Sequence, residues 1–300
     1  MSAPLLMVGS TLLFALMSVC VKLAAAECSL GEIVFFRSIV GVIALIVAAR
    51  WRGLSLRTAV PGMHLWRSVV GVSALSLWFY AIAHLPLATA ITLNYMSSVW
   101  MALFLIGGAV LTGATRVDPR LVCTVLLGFA GVALVLRPTL GQDQLGPGLV
   151  GLASGMLAAL AYLQVTTLGR VGEPEMRVVF YFSLGGSVAG AVMTLVDGGF
   201  HAHSPRILLI LVACGLLATT AQTLMTRAYA IGRTLSNASL QYLGIVFSTV
   251  FGLLIFHDPL THTALAGTGL IIVAGLGATF LRSRVLPVHP ADSRFPPSEN

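Results

Sequence analysis

Ten long apolar runs, separated by short polar breaks, follow one another along the chain. They fall at about residues 3–25, 31–49, 64–84, 86–110, 120–137, 146–168, 177–196, 206–229, 235–256 and 262–281. A helix rises about 1.5 Å per residue, so runs of about 20 residues match a hydrocarbon core about 30 Å thick. The period-2 alternation of a membrane barrel is missing. Turn chemistry marks the breaks: "RWRGLSLRTAVPG" at 50–62, "RPTLGQDQLGPG" at 137–148, "RVGEPEMR" at 170–177 and "FHDPLTH" at 256–262. The pattern predicts an all-α membrane protein with ten transmembrane helices. No basic segment precedes the first run, which is therefore read as a retained helix and not a cleaved signal. Residues 286–300 are polar and Pro-rich and predict a disordered cytoplasmic tail.

Composition agrees with the pattern. Charged residues make up 9% of the chain and hydrophobic residues 57%, whereas a soluble domain carries about 25% charged residues. Charge placement then orients the helices. With the N-terminus inside, the cytoplasmic edges hold Arg50, Arg52, Arg57, Arg67, Arg116, Arg120, Arg170, Arg177, Arg233, Arg282, Arg284 and Arg294, and the outer edges hold Arg137 and Arg206. Such a bias predicts an inner-membrane protein with both termini in the cytoplasm. It accounts for the net charge of +7 through anchors facing an anionic leaflet, without nucleic acid. The expected partners are the lipid bilayer and a small-molecule substrate, with the protein acting as a monomer.

One phrase occurs twice. "YAIAHLPLATAITLNY" at 80–95 is echoed by "YAIGRTLSNASLQY" at 229–242, and "VFFRS" at 34–38 by "VFYFS" at 179–183. "LNYM" at 93–96 returns as "LQYL" at 240–243, so the matches keep their order at offsets of 145 and 147. Two copies of a five-helix unit are expected, at 1–140 and 146–285. An odd number of helices inverts the second copy relative to the first. Inverted repeats with a site near the midplane suit alternating-access transport.

These residues carry a resemblance. Lys22, "FFRS" with Arg37, "FYAIAHLPLATA" at 79–90 and "FGLLIFHDPLTHTALAGTGLIIVAG" at 251–275 resemble the EamA-domain family of the drug/metabolite transporter superfamily, over about residues 5–282. The resemblance implies ten helices in two inverted repeats and no cofactor. Within the superfamily the chain looks most like YddG-type exporters of aromatic and hydrophobic amino acids. Two departures from the family pattern stand out: Asp258 stands where Glu is common, and Ser98 and Ile245 stand where Pro is common.

Polar residues at helical spacing nominate a cavity. Ser73, Ser76 and Tyr80 share one face of the third span, and Thr219 and Gln222 one face of the eighth. Asn94, Tyr95, Ser98 and Trp100 come from the fourth span, and Gln241 and Tyr242 from the ninth. They either line a cavity for a small, largely apolar solute or bond across packed helices. Lys22, Glu32 and Arg37 form a candidate charge cluster: a gate, a carboxylate-binding site, or a paired structural anchor. No catalytic residues are expected, because the chain has no HExxH and no acidic pair within the spans. The four cysteines show no metal-ligand spacing, so free thiols and no metal are expected. With no cation among the proposed walls, a phosphate ester would be poorly accommodated. The expected activity is export of hydrophobic or aromatic amino acids across the inner membrane. Another small metabolite, such as a riboflavin-like vitamin, nucleobase or drug, is the alternative, and an intramembrane enzyme a remote one.

Overall fold

A computed structural model describes residues 3–111, 119–136, 144–231 and 240–285. Among the described residues there are eleven helices and no strands. The first five spans of the sequence become α1 (Ala3–Ala24), α2 (Leu30–Trp51), α3 (Pro61–His84), α4 (Leu87–Asn94) with α5 (Ser97–Leu111), and α6 (Pro119–Leu136). The second five become α7 (Leu145–Arg170), α8 (Glu175–Val196), α9 (Pro205–Ile231), α10 (Leu243–Phe256) and α11 (His262–Val285). Six helices are long and apolar enough to cross a membrane: α1, α2, α3, α7, α8 and α9. Shorter apolar stretches at Val122–Val135, Leu243–Phe256 and His262–Gly277 complete the set. With the α4–α5 pair as one broken span, these form the ten-span membrane protein with two inverted five-helix repeats. We call the face where α1 begins the near face and the one where it ends the far face.

Local sequence sets the helix ends. Ser29 caps α2, its hydroxyl accepting from Glu32 N–H while Glu32 accepts from Ser29 N–H at 2.9 Å, which satisfies two orphan donors at once. Prolines begin α3 and α9, where the missing N–H costs nothing. Gly172, at φ 81°, supplies the left-handed residue that ends α7.

Reciprocal contacts show the pseudo-twofold relation. Across α2 and α8, Gly186 faces the Ser38 side chain and Gly41 faces the Ser183 side chain. The two pairs exchange under the 145-residue offset, as a twofold axis requires. A Cβ on Gly41 would come within 3.1 Å of Ser183 Oγ, so the close approach depends on small residues. The same exchange relates larger pairings, since α1 packs along α9 and α3 along α7.

The expectation of a continuous fourth span over 86–110 is corrected: the helix breaks between α4 and α5. Tyr95 N–H turns back to Ile91 and Leu93 carbonyls, and Met96 N–H bonds Leu93 O at 3.2 Å. This tightened turn is a 3₁₀-type defect that needs no proline. It is accommodated by Gly155 of α7, where a Cβ would come within 2.9 Å of Asn94 O. The ninth span has a matching turn at Tyr242, although its first residues, 235–239, lie outside the described set. Tyr95 and Tyr242 meet edge to face, with centroids 6.4 Å apart.

Candidate functional site

The two helix breaks lie against a central cavity. Its walls come from the first half of α1 (Met7, Ser10, Thr11, Phe14), from α3 (Gly71, Ala74, Leu75, Trp78) and from Asn94 and Tyr95. The second repeat adds Ala158, Ala161 and Tyr162 of α7, Gln222 and Met225 of α9, and Gln241. These positions place it between the middle of the bundle and the near face. The free volume is about 70 Å³, room for on the order of five water molecules, so a metabolite must widen it.

Two arginines dominate its chemistry. Arg37 of α2 and Arg67 of α3 both line the cavity, and each is 4% exposed. They share one aromatic platform: their guanidinium carbons lie 5.2 and 4.4 Å from the centroid of Phe182. Arg37 and Phe182 are themselves repeat partners at an offset of 145. Arg67 folds along its own helix over Gly71, where a Cβ would collide with the guanidinium. Neither arginine forms an ion pair among the described residues, and Arg37 Nε, Arg67 Nε and Arg67 Nη1 have no hydrogen-bond acceptor. An arginine at a helix centre costs about 2.5–3.5 kcal/mol on insertion scales. A cation–π contact returns about 1–2 kcal/mol. The balance leaves a cavity that attracts an anion.

This overturns the expectation of a cavity without cations and, with it, the argument against phosphate esters. Arg67 is no edge anchor. One helical turn inside α3, without an acidic neighbour and with glycine at i+4, it carried a signal that counting edge arginines missed.

The nominated residues divide. Asn94, Tyr95, Gln222 and Gln241 line the cavity. Asn94 donates to Ser154 Oγ at 3.1 Å. Thr219 is buried against Gly41 and returns its hydroxyl to Gly215 O at 2.8 Å. Tyr242 packs behind Tyr95, and Trp100 stacks among Phe104 and Phe129 of the α5–α6 region. Ser73 is exposed on the outside of α3. Ser76 points to Met193 Sδ at 3.9 Å, and Tyr80 stacks on His84 with centroids 4.2 Å apart. The Ser98 side chain lies outside the described set. The cavity face of α3 is instead the row Arg67, Gly71, Ala74 and Trp78.

Lys22, Glu32 and Arg37 do not cluster, so that expectation is corrected too; the helices carry them to three places. Lys22 ends α1 and pairs with Asp258 at 3.0 Å, while its ammonium also donates to Leu85 O at 3.3 Å. Asp258 accepts Leu87 N–H at 2.7 Å. This latch ties α1, the α3–α4 corner and the α10–α11 loop together at the far face. Glu32 bonds the α8–α9 loop through His201 N–H at 2.8 Å and His203 Nε2 at 3.0 Å.

The near face carries its own knot. Glu173 accepts from Thr58 at 2.9 Å, from Arg177 at 3.1 Å and from His64 Nε2 at 3.2 Å, joining the α2–α3 and α7–α8 loops. Burial alone would raise its carboxyl, but the bonds from Thr58, Arg177 and His64 outweigh it and hold the group below its ordinary range. On the near-face side the apolar seal is a small cluster of Leu6, Met7, Met225 and Ala228, of which Met7 and Met225 line the cavity. Toward the far face the seal is thicker, with Met17, Ile82, Leu85, Leu87 and Ile91 packed beneath the latch.

Comparisons with known proteins follow the same lines. Residues 1–137 match the EamA-like transporter family. The chain is 32% identical over 274 residues to the pseudopaline exporter CntI of Pseudomonas aeruginosa, covering 91% of this chain and 94% of that protein. It is 27% identical to the riboflavin transporter of Rhizobium johnstonii over 74% of this chain and 71% of that one. A third relative, the S-adenosylmethionine uptake transporter of Rickettsia bellii, is 22% identical over 82% of each chain. A solved crystal structure superposes with a TM-score of 0.63 over 95% of this chain and 99% of that one, at 21% identity.

Proposed function

Because the chain belongs to the EamA-like transporter family of drug/metabolite transporters, we propose that it exports a small organic acid with at least two carboxylates and an apolar portion. Membership makes it a multi-pass membrane transporter of small metabolites and not an enzyme. The relatives are named for different solutes, so the substrate is read from this cavity.

The observation that carries the reading is the Arg37–Arg67 couple on Phe182, which has no ion pair among the described residues. Guanidiniums take carboxylates in a bidentate fork. Two of them in a low-dielectric space are best neutralised by two carboxylates. Trp78 and Phe14 offer aromatic faces to the rest of the solute. Hydrophobic and aromatic amino acids, expected from the sequence, share one carboxylate with this class. Their ammonium finds no acidic partner among the described lining residues, which makes them the weaker substrates. In this reading the repeats, 1–140 and 146–285, rock about the cavity, both termini are cytoplasmic, and the far face opens to the outside.

A flux panel in proteoliposomes tests the proposal. Loaded dicarboxylates with an aryl or alkyl group should leave faster than from empty liposomes, ahead of phenylalanine or methionine. Equal rates for an acid and its neutral diester would refute it.

A further inference from the structure

A second cluster of chemistry sits away from the cavity, at the far face. Cys28 lies in the α1–α2 loop, Glu32 in the first turn of α2, and His201 and His203 in the α8–α9 loop. Donor atoms of Cys28, Glu32 and His203 all lie within 4.8 Å of one another. The imidazole of His203 stands between the other two, with Nδ1 3.8 Å from Cys28 Sγ and Nε2 3.0 Å from Glu32 Oε1. His201 Nδ1 is 3.4 Å from the same carboxylate oxygen.

We infer that Cys28, Glu32 and His203, with His201 as fourth donor, form a binding site for a divalent transition metal of the zinc class. Zinc bonds of about 2.3 Å to sulfur and about 2.0 Å to nitrogen or oxygen place paired ligands about 3–4 Å apart. An ion takes one ring nitrogen of His203, so the imidazole must turn from its bridge between Cys28 and Glu32. Donors now within 4.8 Å of one another must then close by about 1 Å. A mixed sulfur, nitrogen and oxygen set suits Zn²⁺ better than Mg²⁺ or Ca²⁺, which take oxygen alone. Second-sphere order is already present: Ser29 N–H holds the other oxygen of Glu32 at 2.9 Å. Entry is open as well, because the His201 side chain is 62% exposed while Glu32 is fully buried. A bound ion would tie the loop of the first repeat to that of the second. Sequence spacing hides such a site, because its two halves lie about 170 residues apart and meet only through the packing of α2 on α8.

Tag-free protein in detergent is titrated with Co²⁺, and the thiolate-to-cobalt charge-transfer band is followed. One equivalent should produce the band, and Zn²⁺ should abolish it. Cys28→Ser should remove it, His203→Ala should weaken binding at least tenfold, and Cys20→Ser should leave it unchanged. A thermal-shift series covers variants that fold poorly: Zn²⁺ should raise the Tm of wild type and of Cys20→Ser but not of Cys28→Ser. A band surviving Cys28→Ser, or no band with folded wild type, would overturn the inference and leave a hydrogen-bonded loop contact only.

Discussion

Replacing Asp258 by Asn removes one charge from the far-face latch while keeping its shape and an acceptor for Leu87 N–H. Lys22 Nζ lies 3.0 Å from the carboxylate, and the two side chains are 16% and 15% exposed. Coulomb's law at that distance, with an effective dielectric of about 20, gives a gross attraction of roughly 5 kcal/mol. Desolvation cancels much of it, yet an ammonium left without its partner is costly, so we set the net loss at about 2 kcal/mol. If the pair forms only when the far face is closed, the open population rises roughly thirtyfold. A cysteine replacing Trp78, at the far end of the cavity, reports the opening through its rate of reaction with an impermeant maleimide. The rate should rise in Asp258→Asn and in Lys22→Gln, by less than the sum in the double variant. Unchanged rates in both single variants would show that the apolar seal alone closes this face.

Two further outcomes follow from the same contacts. Gly71→Ala places a methyl group where the Arg67 guanidinium lies, so initial flux should fall at least tenfold while the protein still inserts; wild-type flux would argue against the folded-back arginine. For Glu173, a carboxyl held low in the folded protein stabilises at pH above its unfolded value of about 4.3, and that stability drains away as pH falls through the lower folded value. Acid thermal-shift curves of Glu173→Gln should therefore lie below wild type at neutral pH and converge with it in acid.

Much of the bundle was legible because membrane helices announce themselves by apolar length, and the breaks between them by Gly, Pro and charge. The repeat was legible through short phrases at constant offset. Less visible was the turn at Tyr95, since neither proline nor glycine marks it. Its cause, the Gly155 backbone of another helix, is tertiary. The Ser73, Ser76, Tyr80 stripe misled for a related reason. Hydroxyls in a membrane helix can bond their own i−4 carbonyls, as Thr220 does to Leu216 O and Thr166 to Tyr162 O, so they need no polar cavity. Asn94, Gln222 and Gln241 cannot do this as readily, and these three, with Tyr95, are the nominees found in the wall. Arg67 was hidden among topological arginines, because a long side chain folded back over glycine reads in sequence like one reaching for lipid headgroups.

The arginine couple is tested most directly by the charge dependence of flux. Export of an aryl dicarboxylate and of its monoester is measured in wild type, Arg67→Gln and Arg37→Gln, with insertion verified for each. Wild type should favour the diacid at least tenfold, and each neutral variant should bring the ratio close to one chiefly by slowing the diacid. A ratio near one in wild type, or a preference that survives both substitutions, would contradict the assignment of Arg37 and Arg67 as the carboxylate receptor.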